Sequence, residues 1–87
     1  MNTDDMAPEM LIIIKRLFEV DDVKEKWVKF EDIQKLLGLQ NQETLYFVEE
    51  LRRRQLISFH SSTGRGICYL TSQGRAYVMR VLRKKKD

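Results

Sequence analysis

Apolar residues recur every three or four positions in three stretches of the chain, which is the spacing of an amphipathic helix. The first stretch covers residues 8 to about 20 and begins at Pro8, a residue suited to the first position of a helix. The second starts around Glu31 and contains Ile33 and Leu36, and the third runs from residue 41 to about 55. The pattern therefore predicts three helices before residue 56.

Two shorter apolar runs follow the third predicted helix and indicate strands. They cover residues 56–60 and 67–70, and the loop between them, residues 61–66, contains two glycines. Residues 27–30 are a candidate third strand that pairs with this hairpin, and residues 70–74 open a last helix. We predict an α+β fold with a three-helix core, a two- to three-stranded antiparallel wing and a C-terminal helix.

The boundary between the second and third predicted helices has the residues of a tight turn. Gly38 stands where a helix end favours a left-handed residue, and Leu39 can fold back onto Ile33 as the accompanying hydrophobic contact. Asn41 is a suitable N-cap for the next helix, whose first turn holds Gln42 and Glu43. These features predict a helix-turn-helix.

The first predicted helix carries more apolar surface than one small core requires. Its apolar residues fill an arc of about 180°, whereas packing on a single core needs roughly 100°. They are Met10, Leu11, Ile13, Ile14, Leu17, Phe18 and Val20. Ile12 lies outside the arc, among charged residues. The excess predicts contact with a second copy of the chain, and the alternative is that the domain itself wraps this helix on two sides.

Charge is divided unevenly along the chain. Residues 1–50 carry 6 Lys and Arg against 12 Asp and Glu, a net charge of −6, whereas residues 51–87 carry 10 against 1, a net charge of +9. This asymmetry predicts a polyanionic partner on one side of the molecule. The alternative is that the arginines at 52–54 and the basic tail, residues 83–87, are solvated helix ends. Residues 1–7 are expected to be a flexible start to a single domain that spans residues 1–87.

Composition argues against several classes of protein. The longest apolar run, residues 10–14, is far shorter than the ~20 residues of a membrane span, and the acidic start does not suit a secretory signal. We therefore expect a cytoplasmic protein without membrane contact. One cysteine, Cys68, and one histidine, His60, exclude an internal disulfide and a structural zinc site, and both are expected to be hairpin residues. No nucleophile with a base and an orienting group is recognisable, so neither a cofactor nor an enzymatic activity is predicted.

The third predicted helix has two distinct faces. The face expected to be buried carries Thr44, Phe47, Val48, Leu51 and Gln55. The other face carries Gln42, Leu45, Tyr46, Glu49 and Arg53. An apolar residue among polar ones fits contact with thymine methyl groups, and a tyrosine hydroxyl can bond a phosphate. Three acids in or beside this face argue against such contacts, namely Glu43, Glu49 and Glu50. They would repel phosphates unless they lie between the two phosphate backbones of the duplex.

The predicted hairpin loop holds one cation between two glycines. Arg65 lies between Gly64 and Gly66, which predicts an arginine at the tip with little steric hindrance from its neighbours. A narrow A·T-rich minor groove attracts such an arginine. The alternative is an ordinary turn with a solubilising charge.

Three segments together resemble a known family. They are residues 30–39 (FEDIQKLLGL), residues 48–57 (VEELRRRQLI) and residues 69–75 (YLTSQGR). In this order and spacing they resemble the winged helix-turn-helix repressors of the MarR and PadR type, and the small winged-helix proteins encoded by archaea and their viruses. The resemblance covers about residues 28–82. It implies a winged helix-turn-helix fold and a homodimer that binds double-stranded DNA sequence-specifically and regulates transcription.

The resemblance also implies which residues meet each partner. With the helix from Asn41 as recognition helix and residues 61–66 as wing tip, the candidate DNA-binding residues are Gln40, Asn41, Gln42, Leu45, Tyr46, Arg53, Ser62, Thr63 and Arg65. The first and last helices are the implied dimer interface, with Leu11, Ile12, Ile14, Phe18, Tyr77, Val78, Val81 and Leu82. The residues do not indicate which small-molecule effector, if any, is bound.

Two features depart from the family pattern. These repressors usually have glycine at a left-handed position where this chain has Gln55, so the helix should end there at a cost of roughly 1 kcal/mol or in another way. The acidic recognition helix leaves open an alternative function, a winged-helix protein-interaction module within a larger nucleic-acid-processing assembly.

Overall fold

A computed structural model describes residues 6–22, 27–62 and 65–82, and all structural statements concern these residues. The elements follow the predicted order, with the candidate strand before the second helix. They are α1 (Pro8–Asp22), β1 (Val28–Lys29), α2 (Phe30–Leu37), α3 (Asn41–Arg53), β2 (Ile57–Ser62), β3 (Arg65–Leu70), α4 (Ser72–Tyr77) and a π-helix (Val78–Leu82). The predicted α+β architecture is confirmed.

Helix α1 lies at the centre of the fold. It contacts α2, α3, β3 and the π-helix. Five of its apolar residues are buried, namely Met10, Ile13, Ile14, Leu17 and Val20. Leu11 and Phe18, at the edge of the predicted arc, are half-buried, whereas Ile12 is exposed. Packing within one chain therefore accounts for most of the wide apolar arc, as the alternative interpretation of that arc proposed.

The turn between α2 and α3 is formed largely as predicted. Gly38 has the expected left-handed conformation (φ 69°), and its backbone N–H donates to the Gln34 carbonyl at 2.9 Å. The N-cap of α3 is Gln40 rather than Asn41, because the Glu43 carboxylate accepts a hydrogen bond from the Gln40 backbone N–H at 3.3 Å. Asn41 is the first helical residue, and this corrects its predicted capping role.

Helix α3 ends two residues before the predicted limit. Gln55 adopts a left-handed conformation (φ 64°), the only non-glycine residue described to do so. Its backbone N–H donates to the Arg52 carbonyl at 2.9 Å, and Leu56 N–H reaches back to the Leu51 carbonyl at 3.1 Å. Gln55 thus takes a left-handed conformation that favours glycine, and the expected strain of roughly 1 kcal/mol falls on this residue.

The three strands form an antiparallel sheet in the order β1-β3-β2. Residue Cys68 on the central strand is paired with Val28 on one side and Phe59 on the other. The predicted pairing of the short first strand with the hairpin is therefore confirmed. The hairpin is longer than predicted, because Ser61 pairs with Gly66 and Ser62 with Arg65.

The start of α4 packs closely against Leu56, in the segment between α3 and β2. The Thr71 hydroxyl caps α4 by accepting a hydrogen bond from the Gly74 backbone N–H at 3.0 Å. A Cβ on Gly74 would overlap the carbonyl oxygen of Leu56, so this close approach requires glycine. The last part of the helical C-terminal segment, Val78–Leu82, continues as a π-helix.

One contiguous core joins all of these elements. Its fully buried side chains include Ile13, Ile14, Leu17, Ile33, Val48, Leu51 and Cys68. Met6 is also buried against this core, which corrects the expectation that the whole of residues 1–7 is flexible. Residues 1–5 and the predicted basic tail, residues 83–87, lie outside the described residues.

Candidate nucleic-acid interface

Helix α3 is anchored by one face and exposes the other. Thr44, Val48 and Leu51 are completely buried, and the Thr44 hydroxyl donates to the Gln40 carbonyl at 2.9 Å. On the opposite face Leu45 is 37% exposed and Tyr46 is 59% exposed. The predicted division of this helix into a core face and an outward face is confirmed for these residues.

The remaining candidates on α3 lie at its two ends. Gln40, Asn41 and Gln42 are exposed at the N-terminal end, and Arg53 is exposed at the C-terminal end. Gln55, which was predicted on the buried face, is exposed because the helix has already ended at Arg53. The structure therefore offers one outward surface that extends from the N-cap to the last helical residue.

The acids of α3 are engaged by residues of the same helix. Glu43 accepts the N-cap hydrogen bond, and Glu49 pairs with Arg52 at 2.7 Å. Arg53 Nη2 lies 3.1 Å and 3.0 Å from the two carboxylate oxygens of Glu50. Because each acid has a donor beside it, the negative potential of this face is weaker than the sequence suggests.

A cleft of about 410 Å³ connects the start of α3 with the sheet. Its lining comprises Trp27, Lys29, Phe30, Glu31, Gln34, Asn41, Gly66 and Ile67. Asn41 at the first position of α3 and Gly66, which pairs with Ser61 near the tip of the hairpin, thus border the same space. The fold places the outward helix and the wing side by side, as a composite interface requires.

The hairpin departs from the predicted six-residue loop. Since Ser62 pairs with Arg65, only residues 63 and 64 lie between the paired strands. Arg65 is therefore the first residue of β3 and not the centre of a loop. Thr63 and the side chains of Ser62 and Arg65 lie outside the described part of the structure, so their predicted contacts remain predictions.

Gly66 has a packing role that the sequence interpretation missed. A Cβ at this position would come within 2.6 Å of the Phe59 ring. That ring packs against Phe30, with centroids 5.7 Å apart and planes tilted by 41°. Gly66 therefore makes room for the packing of Phe59 against Phe30, whereas the sequence predicts a role for Gly66 in the presentation of Arg65.

A polar pair on the hairpin was also missed. The rings of His60 and Tyr69 are stacked with centroids 5.6 Å apart, and His60 Nε2 lies 3.1 Å from the Tyr69 hydroxyl. Tyr69 is paired with Ser58, so His60 and Tyr69 are diagonal neighbours on one face of the sheet. A correct hairpin register would have revealed this pair from the sequence.

The predicted dimer residues divide into two groups. Ile14 and Val78 are buried in the core of the single chain, with 0% and 2% exposure, and this corrects their assignment to a dimer interface. Leu11, Phe18, Tyr77, Val81 and Leu82 are half-buried, and Ile12 is exposed. The Tyr77 hydroxyl itself is buried, and this burial raises its pKa, while Arg54 and Arg80 lower it. Only the half-buried and exposed residues are available to a partner.

The chemistry of the described residues offers no metal centre. No group of three or more His, Cys, Asp or Glu lies close enough there to hold a metal ion. Cys68 is buried in the sheet, and its burial raises the pKa of the thiol to about 12. Among the described helices, none has the length and apolar character needed to cross a membrane.

The fold and the exposed α3 define a winged-helix protein. Two solved structures share this fold over 91% of the chain. One is a transcriptional regulator homologue from Pyrococcus horikoshii OT3, with a TM-score of 0.75, 23% identity and 77% of its own chain covered. The other is the heme sensor protein PefR from Streptococcus agalactiae in complex with heme, with a TM-score of 0.76 and 16% identity. The chain spans 54% of the length of PefR.

No protein-family model matches the chain, and no curated protein matches it significantly in sequence. The predicted winged-helix fold is thus confirmed by structure, and the narrower MarR or PadR type stays a prediction.

Proposed function

We propose that the chain is a transcription regulator that binds double-stranded DNA sequence-specifically as a homodimer. The observation that carries the proposal is the joint exposure of Gln42, Leu45 and Tyr46 on the outward face of a core-anchored helix. A major groove is about 12 Å wide and admits one such helix with its side chains directed at base edges. The similarity of the fold to that of a transcriptional regulator homologue supports the same function.

The three side chains differ in the contact that each can make. The amide of Gln42 can bond adenine N6 and N7 together, and the alkyl group of Leu45 can contact a thymine methyl group. The hydroxyl of Tyr46 can donate to a phosphate and fix the position of the helix on the backbone. We therefore expect the preferred site to be rich in A·T pairs beneath α3.

Arg53 must leave an ion pair before it can contact DNA. In the free protein it is paired with Glu50, so contact with DNA requires exchange of this ion pair for another partner. The exchange costs little, because an exposed ion pair contributes only about 0 to 1 kcal/mol. Arg53 then either pairs with guanine O6 and N7 or holds a phosphate.

The wing supplies the second part of the proposed interface. The hairpin borders the same cleft as Asn41, so a duplex seated on α3 lies beside β2 and β3. Ser62, Thr63 and Arg65 are the proposed contacts to the adjacent backbone or minor groove. Replacement of Arg65 by alanine should weaken DNA binding by about 1 to 3 kcal/mol and leave folding intact.

The proposed dimer uses α1 and the C-terminal helical segment. These elements are in contact with each other and present Leu11, Phe18, Val81 and Leu82 as half-buried residues, with Met79 exposed nearby in the sequence. A two-fold arrangement would place two copies of α3 about 34 Å apart, on successive major grooves of a palindromic site. Light scattering at micromolar concentration should give twice the 10.4 kDa mass of the chain; a persistent monomer contradicts the dimer.

Selection from random duplex oligonucleotides tests the function directly. We expect an enriched palindromic sequence, and the logarithm of affinity should fall with the logarithm of salt concentration with a slope near −5 if the dimer makes about 6 phosphate contacts. Gln42→Ala should relax base preference, whereas Tyr46→Ala should weaken binding to all sequences. Gln73→Ala, an exposed change on α4, serves as the matched control and should leave both properties unchanged.

A protein-interaction module is the outcome if the selection fails. Leu45 and the ring of Tyr46 are apolar and exposed, so both can serve as anchors for a protein surface. If a folded protein enriches no sequence and shows a shallow salt dependence, the regulator function is contradicted and α3 is a docking surface for another protein.

A further inference from the structure

A second exposed surface contains no residue of α3. It is a groove of about 750 Å³ between α1, β1 and α2. Three of the six exposed large hydrophobic side chains in the described residues line it, namely Ile12 at 43%, Trp27 at 46% and Leu36 at 48% exposure. These residues come from three separate parts of the chain and converge on one groove, which we call the α1–α2 groove.

The rim of the α1–α2 groove is cationic. Lys15, Lys29 and Lys35 line it, together with the exposed ion pair between Arg16 and Glu19. None of the three lysines forms an ion pair with a described carboxylate. Asp32 is the remaining acid of the lining, so cations exceed acids by four to two. The groove therefore combines apolar anchors with uncompensated positive charge.

We infer that the α1–α2 groove is a docking site for an acidic amphipathic helix of a partner protein. Such a helix would place apolar residues at i, i+4 and i+7 against Ile12, Trp27 and Leu36. Its flanking carboxylates would face Lys15, Lys29 and Lys35, and this charge complementarity favours an acidic partner over a neutral one. None of the lining residues belongs to α3 or the hairpin, and two of them, Trp27 and Lys29, also line the cleft beside Asn41.

Two other occupants fit the groove less well. A second copy of the chain related by a two-fold axis would bring the same lysine-rich rim against itself, which like-charge repulsion disfavours. A small molecule usually buries 70–90% or more of its surface in a pocket. The anchors of this groove remain nearly half exposed, which indicates a shallow surface suited to a helix.

Trp27 is the one tryptophan of the chain, and it lines both the groove and the cleft beside Asn41, so the variants below assign a change in its emission to the groove. The probe is a synthetic helical peptide with leucine at the anchor positions and glutamate at the flanking positions. Its match is the same peptide with lysine in place of every glutamate. The glutamate peptide should shift Trp27 emission to the blue and saturate the signal, and it should bind at least about tenfold more tightly than the lysine peptide.

Variants of the full chain separate the apolar and ionic parts of the site. Leu36→Ser should weaken binding of the glutamate peptide about tenfold. Leu45→Ser on α3 is the matched control and should leave this affinity unchanged. Lys35→Glu should weaken binding of the glutamate peptide and strengthen binding of the lysine peptide. Arg80→Glu, which changes the net charge by the same amount, is the control. Circular dichroism of each variant verifies the fold.

Four results would overturn the inference. The first is the absence of a Trp27 shift with the glutamate peptide, and the second is equal affinity for the two peptides. The third is a blue shift that grows with protein concentration alone. The fourth is a blue shift produced by single-stranded oligonucleotide but not by the peptide. The third result would assign the groove to a second copy of the chain, and the fourth would assign it to nucleic acid. Neither result bears on the proposed contact of α3 with duplex DNA.

Discussion

The Thr71 hydroxyl donates a hydrogen bond of 2.7 Å to the carbonyl of Gln55, sixteen residues earlier in the chain. The same hydroxyl accepts from the Gly74 N–H, and the Thr71 backbone N–H donates to the Leu56 carbonyl at 3.2 Å. One residue thus caps α4 and holds the left-handed end of α3.

Replacement of Thr71 by valine should lower the free energy of unfolding by about 1 to 2 kcal/mol. The change keeps the shape of the side chain but removes the cap of α4 and the bond to the Gln55 carbonyl. Urea unfolding followed by circular dichroism measures the effect. Thr71→Ser retains the hydroxyl and should lose less than half as much; an equal loss in both variants would show that the methyl group matters and the hydrogen bonds do not.

Replacement of Gln55 by glycine should raise the free energy of unfolding by about 0.5 to 1 kcal/mol. Glycine adopts φ near +64° without the strain of a Cβ, and this gain exceeds its larger entropy loss on folding. Gln73→Gly is the matched control, because Gln73 is an exposed helical residue outside the left-handed region and should lose stability. Thermal or urea unfolding compares the two; destabilisation by Gln55→Gly would show that the side chain of Gln55 has an unrecognised role.

Local rules were sufficient to predict the helix-turn-helix from the sequence. Gly38 ends α2 in the left-handed conformation, as its position between two periodic segments indicated. The burial of Val48 and Leu51 and the exposure of Leu45 and Tyr46 follow from helical periodicity alone. Each of these features depends on residues close in sequence, which a pattern can encode.

Features that depend on distant residues were predicted poorly. The hairpin length depends on a register that Gly66 allows by giving space to the Phe59 ring, and this contact leaves no local signal. The family resemblance implied Ile14 and Val78 as dimer residues, but it does not show how many neighbours surround each helix within one chain, and both residues are buried there. The pairing of Glu49 with Arg52 is a different case, because it is a local i,i+3 contact whose spacing the sequence already contains.

Cys68 should make stability sensitive to alkaline pH. Burial raises the pKa of its thiol from the ordinary 9.0 to about 12, so the unfolded chain loses this proton at lower pH than the folded chain does. The contribution of the protonated thiol to the free energy of unfolding is fully present below pH 9. It is lost as pH rises toward 12, by up to about 1.4 kcal/mol per pH unit. Urea unfolding of the wild type and Cys68→Ala across this range measures it. Their stability difference should shrink with pH; a constant difference would contradict the buried thiol.

Glu50→Gln should increase affinity for random duplex DNA by about two- to fivefold, although it removes an ion pair. Glu50 holds Arg53 at 3.0 Å and lies 4.0 Å from Arg54. Neutral glutamine releases part of this hold and removes a negative charge from the helix that we propose to face the phosphates. The net result is more positive charge available to DNA, and the salt dependence of binding should become steeper.

Glu19→Gln provides the control for the change in net charge. Glu19 also pairs with an arginine, Arg16, but it lies on α1 and borders the groove that contains no residue of α3. If α3 meets DNA, Glu50→Gln should exceed Glu19→Gln in its effect on affinity by at least about twofold at low salt, where screening is weakest. Equal effects of the two variants would show that only the overall charge of the protein matters, and the placement of DNA on α3 would then be wrong.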